Sequence, residues 1–128
     1  MTRTAACSCG QLRIACEGEP VRVSVCHCLA CQKRTGSAFG SAAFFMKDEA
    51  TITGESHTWG RKGESGLGAF FHFCPTCGST VFWLPRFAPD RVAVAIGAFA
   101  DPGFPPPEKQ VYAETAHPWV TVSGVADE

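Results

Sequence analysis

Val21-Arg22-Val23-Ser24-Val25-Cys26-His27-Cys28-Leu29-Ala30-Cys31 carries both the fold and the chemistry of this chain. Val21, Val23 and Val25 recur at period two, the spacing of a β-strand with one face in a core. That strand runs directly into three cysteines within six residues. A strand entering a turn at Cys-x-Cys-x-x-Cys can bring three sulfurs to one point. Beyond it, residues 29–35 suit a short helix, with Gly36 placed as its C-terminal stop.

Working outward, short apolar runs separated by Gly and Pro recur along the chain, which reads as mainly antiparallel β-structure. In the run 11–16, Leu12, Ile14 and Cys16 share one face, so Cys16 is expected to be a buried core thiol. Further strands are expected near 39–46, 50–53, 69–74, 79–84, 91–97 and 109–113. In 91–97, Val92, Val94 and Ile96 form one face. Residues 101–107, with four prolines, cannot pair in a sheet and are expected to form a loop. The glycine-rich segment 60–68 is expected to be a surface loop.

Seven of the eight cysteines form three clusters: Cys7 with Cys9, Cys26 with Cys28 and Cys31, and Cys74 with Cys77. Seven divides naturally into four plus three: four thiolates close a tetrahedral zinc site, and three leave one position open. Cys74-Pro75-Thr76-Cys77-Gly78 has the form of a zinc-ribbon turn. Cys7 and Cys9, read as i and i+2 of a strand, would complete its four sulfurs and pin the first strand to the hairpin of the 70s. The middle cluster then holds a second ion. Its fourth donor is open at this point, with Cys16, His27, His72 or a carboxylate as candidates.

The chain has 128 residues, the size of a single domain spanning 1–128, and 45% hydrophobic composition with 10 Phe suits a packed globule. Eleven basic and 12 acidic side chains are well mixed, with a net charge of -1, which argues against nucleic acid as a partner. The first residues lack the apolar run of a signal peptide, and no stretch reaches transmembrane length. A cytoplasmic, reducing location is therefore expected, where clustered cysteines serve as metal ligands more often than as disulfides.

Cys-x-Cys-Gly near the start, Cys-His-Cys-x-x-Cys with Thr35-Gly36-Ser37, Phe-Cys-x-x-Cys-Gly and a closing Pro118-Trp119 occur in that order. Together they resemble the glutathione-dependent formaldehyde-activating enzyme family, small carbon–sulfur lyases of the S-(hydroxymethyl)glutathione synthase type. The resemblance implies a β-tent of antiparallel sheets with zinc-ribbon elements. It implies a structural zinc on Cys7, Cys9, Cys74 and Cys77, and a catalytic zinc on Cys26, Cys28 and Cys31. It further implies glutathione or a similar thiol, and formaldehyde or a related small aldehyde, as substrates.

Glutathione brings two carboxylates, for which Gln32, Lys33 and Arg34 are candidate contacts. Arg61 and Lys62 are further candidates, although solvated surface charge is the plainer reading for both. Proton delivery falls to water, His27 or His72. Phe39, Phe44 and Phe45 are expected in the core, with one of them available to a pocket wall, and Trp119 is expected to pack. The alternative is a non-catalytic two-zinc module that mediates protein interaction. In that case the middle cluster should be saturated and no pocket should adjoin it.

Overall fold

The computed structural model describes residues 1–61 and 68–127. Within them the chain is mainly β. A three-stranded antiparallel sheet is built from β1 (Thr2–Ala6), β2 (Arg13–Glu17) and β5 (Ala50–Thr53), in the order β1-β2-β5. The larger sheet takes β3 (Arg22–Cys26), β4 (Gly40–Met46), β6 (His57–Arg61), β7 (Ala69–Phe73), β8 (Thr80–Pro85), β9 (Arg91–Val94), β10 (Lys109–Val111) and β11 (Ala126–Asp127). Its order is β11-β10-β3-β4-β9-β8-β7-β6. One α-helix, α1 (Leu29–Thr35), lies between β3 and β4 among the described residues.

The period-two patterns decide which face each strand buries. Leu12 precedes β2, and with Ile14 and Cys16 it is fully buried, as the alternation of 11–16 requires. They meet Val23, Ala43, Phe45, Val92 and Val94 from the large sheet in the main core. Each large apolar side chain hidden there contributes about 2–3 kcal/mol. The opposite face of the large sheet is also covered: Ala42, Phe44, Ala69, Phe71, Trp83 and Ala93 form a second cluster. Strands buried on both faces lose the polar half of the alternation, which is why β4 reads Gly-Ser-Ala-Ala-Phe-Phe-Met.

Several expectations shift. The strand predicted over 91–97 stops at Val94, and Ile96–Phe99 turn into a 3-10 helix after Ala95 donates to Val81 O. Ile96 therefore lies outside the strand, yet it still packs against the core that holds Val92 and Val94. The last predicted strand, 109–113, ends at Val111 because Tyr112 takes a left-handed conformation at φ 56°. The large sheet is mixed rather than wholly antiparallel, since β10 pairs in parallel with both β3 and β11. Val21 lies outside β3 and is exposed. Residues 101–107 form a loop whose Phe104 is buried, stacked on Phe99 at 4.5 Å. Trp119, expected to pack, is 73% exposed and touches only the ring of His117 among the described aromatic contacts. Of the glycine-rich segment 60–68, Gly60 and Arg61 belong to β6, and 62–67 lie outside the described residues.

Candidate metal centres and adjoining cavity

Two groups of cysteine sulfurs converge, and each has all its sulfurs within 4.8 Å of one another. The first joins Cys7 and Cys9 to Cys74 and Cys77. Cys7 and Cys9 do not sit on a strand as the spacing suggested. They flank a turn after β1, in which Gly10 at φ 84° donates its N–H to Cys7 O. A left-handed residue is needed there, and glycine supplies it without strain. The Cys74–Cys77 turn links β7 to β8, and Gly78 closes it by donating to Cys74 O. Ser8 and Ser79 join the two turns through their hydroxyls at 2.9 Å.

The donor set fits a tetrahedral ion. Zinc–sulfur bonds of about 2.3 Å place sulfurs about 3.8 Å apart. Cys7 and Cys9 sulfurs lie 3.6 Å apart, and Cys9 and Cys74 sulfurs 3.7 Å. Donors also surround the sulfurs in the way that stabilises thiolates. Leu12 N–H points at Cys7 Sγ, and Thr76 N–H, Cys77 N–H and Gln11 Nε2 point at Cys74 Sγ. Hydrogen bonding with Ser79 draws the Cys77 thiol down to about 5.

The second group is Cys26, Cys28 and Cys31. Cys26 ends β3, Cys28 is the N-cap of α1, and Cys31 sits in the first turn of the helix. The Cys28 side chain accepts from Cys31 N–H at 3.3 Å, so one residue is both helix cap and candidate ligand. Gly36, left-handed, ends α1 as expected. The neighbouring Cys31 sulfur, then burial, pushes the Cys26 thiol far up. Cys31 is drawn down, foremost by the Cys26 sulfur and against its own burial, helped by Cys28 and the charges of Arg61 and Arg34. Such a cluster is set to exchange its protons for a cation. No fourth Cys, His, Asp or Glu joins the three among the described residues. Cys16 is buried in the main core, where burial pushes its thiol up to about 11.

Cys26 and Cys31 face a cavity of about 290 Å³. Register explains the cavity. Ser24 and Cys26 of β3 pair with Ala42 and Gly40 of β4, so small side chains floor the space, with the Arg22–Phe44 pair beside them. Trp83, Phe87, Val111 and Tyr112 complete its walls. Arg34 closes one end, its guanidinium 4.9 Å from the Phe71 ring and 4.5 Å from the Trp83 ring. On the far side of Arg34, a cleft is lined by Ala30, Lys33, Trp59 and Arg61.

Lys33, Arg34 and Arg61 thus come together. Arg61 is no free surface charge: it lies over Phe71 at 5.0 Å, close enough to act on Cys31. Lys62 lies outside the described residues. Gln32 is not an anion contact. Its amide donates to His27 O and Thr115 O while its oxygen accepts from His117 Nε2, so its polar atoms are already engaged. Neither expected proton donor lines the cavity. His27 is buried, with Nε2 donating to Gln110 Oε1 and its ring against Phe39. His72 points to the sheet face opposite Phe71, stacked on Phe82 and bonded to Ser56 Oγ, and burial lowers its pKa. Phe44, not Phe39, is the phenylalanine of the 39–45 stretch that reaches the wall.

The sequence profile of the glutathione-dependent formaldehyde-activating enzyme family matches residues 2–117. The chain belongs to that family. A crystal structure of a Rhodobacter sphaeroides protein is similar at a TM-score of 0.57 and 22% identity, covering 80% of this chain and 91% of that one. At that identity the likeness speaks for the fold alone. No individual curated protein matches the sequence. No helix among the described residues is long and apolar enough to cross a membrane.

Proposed function

We propose that this family member is a zinc-dependent carbon–sulfur lyase and synthase, adding glutathione or a similar thiol reversibly to formaldehyde or a related small aldehyde. One zinc, on Cys7, Cys9, Cys74 and Cys77, ties the two sheets. A second, on Cys26, Cys28 and Cys31, serves the reaction. Both belong to one domain spanning 1–128, working in the reducing cytoplasm where thiols persist as ligands. A single observation carries the reading: the middle cluster has three sulfurs, no fourth protein donor among the described residues, and a cavity against two of them. A saturated, pocketless cluster, as a structural module requires, is not found among the described residues.

When bound at the three sulfurs, zinc supplies an open position that favours the thiolate form of an incoming thiol at neutral pH. The protein does the rest by placement. Lys33, Arg34 and Arg61 present cationic groups for the thiol's carboxylates in the cleft beside Trp59. The carbonyl is held in the cavity next to Cys26 and Cys31. A carbon–sulfur bond forms, the carbonyl π pair moves to oxygen, and the proton lost by sulfur ends on that oxygen. The chain's one tyrosine, Tyr112, supplies a hydroxyl at the cavity wall, alongside water, for that transfer. Addition to formaldehyde is facile without a catalyst, so holding both partners in line is the main contribution.

Exchange NMR on a glutathione–formaldehyde mixture, with and without the zinc-loaded protein, tests this reading. Faster exchange that disappears in Cys28→Ser is the expected result. An exchange rate equal to the spontaneous one rejects it.

A further inference from the structure

The cavity beside Cys26 and Cys31 is far larger than formaldehyde needs. Formaldehyde has two heavy atoms and is little bigger than water, whose share of liquid volume is about 30 Å³. The cavity holds about 290 Å³, near the lower end of the roughly 300–1,000 Å³ typical of sites for organic ligands. Its breadth is built in. Ser24, Gly40 and Ala42 keep the floor low, while Phe44, Trp83 and Phe87 stand around it.

The walls also select chemistry. The lining is largely apolar, with Arg22, Arg34, Tyr112 and two serines as its polar members apart from the cysteines, so glutathione's charged groups would forfeit much of their hydration there. The cationic cleft across Arg34 offers the carboxylates a better home, which leaves the largely apolar cavity for the other reactant. Phe87 is 56% exposed in the structure, with its ring 6.1 Å from Phe44, so an apolar occupant would also cover it.

Building on the thiol-addition reading above, we infer that the cavity takes an aldehyde with an apolar body of aromatic size. The thiol sulfur bonds to the aldehyde carbon, the carbonyl π pair moves to oxygen, and the thiol proton follows it, giving a thiohemiacetal. The reverse step cleaves the same carbon–sulfur bond. The apolar body lies on the floor between Phe44 and Trp83, and Phe87 forms its outer wall.

The test gives the zinc-loaded full chain glutathione with either formaldehyde or phenylacetaldehyde, and reads exchange of each thiohemiacetal by NMR. Phenylacetaldehyde should be preferred about tenfold or more in kcat/KM. That preference should fall about fivefold or more in Phe87→Ala and largely return in Phe87→Leu. Acceleration of formaldehyde alone overturns the inference and leaves the thiol-addition reading standing. Acceleration of neither overturns that reading, and benzyl alcohol then decides the cavity by saturation-transfer NMR. Contact that is lost in Phe87→Ala upholds an apolar ligand; no contact in the unsubstituted chain, or displacement by glutathione alone, overturns it.

Discussion

Gly40 serves the site by having no side chain. A Cβ there would lie 3.2 Å from Cys31 Cβ and 3.1 Å from Arg34 Nη2. One methyl therefore presses on a candidate ligand and on the guanidinium beside it. Overpacking of this kind costs about 1–3 kcal/mol. Gly40→Ala should lower the exchange rate about tenfold while melting cooperatively a few degrees below the unsubstituted chain. Parallel NMR exchange and thermal melts check it; an unchanged rate would mean that Cys31 need not sit against β4. Cys16 gives a second prediction, from pH. Burial holds its thiol up at about 11, against the ordinary 9. Between those values the unfolded chain sheds a proton that the folded chain keeps, so stability falls as pH rises from 9 to 11. Two units amount to about 3 kcal/mol. Cys16→Ala should flatten that part of the stability profile in urea titrations, even though the vacated volume lowers stability at every pH.

At the scale of elements, α1 is held by more than its cysteines. Gln32 donates to His27 O and Thr115 O, Thr115 Oγ1 donates to the same His27 carbonyl, and His117 Nε2 donates to Gln32 Oε1. The segment after β10 thus clamps the turn between Cys26 and Cys28. Groups that orient ligands from behind are commonly worth about 10–100-fold in metal affinity. Gln32→Ala should loosen zinc at the middle cluster by that factor, leaving the Cys7–Cys77 cluster untouched, as a chelator competition with two resolved steps would show. This clamp was not legible in the sequence, because it joins residues more than eighty positions apart and glutamine carries no local signature. Legibility follows the range of the signal. The cysteine groups, the helix stop at Gly36 and the strands read at 11–16 and 39–46 announce themselves through spacing and apolar runs within a few residues. β1 and β6 do not: Thr-Arg-Thr-Ala-Ala and His-Thr-Trp-Gly-Arg are polar edge segments whose apolar alternation is weak. The overlong reading of 91–97 has the opposite cause, since alternation continues through Ile96 although the backbone has already turned. Arg61 looks like surface charge until β6 pairs with β7 and brings it over Phe71.

For the whole molecule, the decisive asymmetry lies between the two clusters. Cys9 and Cys74 are 65 positions apart, one after β1 of the small sheet and the other between β7 and β8 of the large one. An ion held there would tie the two layers that sandwich the main core. Cys26, Cys28 and Cys31 span a single strand–helix junction, already braced by the Gln32 clamp and the pairing of β3 with β4. Structural zinc binding is worth about 10–16 kcal/mol in small domains. That matches or exceeds the roughly 5–15 kcal/mol by which a domain is stable at all. Cys77→Ser should therefore leave a chain that is unfolded or melts more than about 10 °C lower. Cys28→Ser should keep a cooperative transition within a few degrees of the unsubstituted chain, bind one zinc where the unsubstituted chain binds two, and lose the exchange activity. Zinc analysis by mass spectrometry, beside calorimetry on the same samples, separates these outcomes. Equal losses of stability from the two substitutions would make both clusters rivets, and the catalytic role proposed for the middle one would fall.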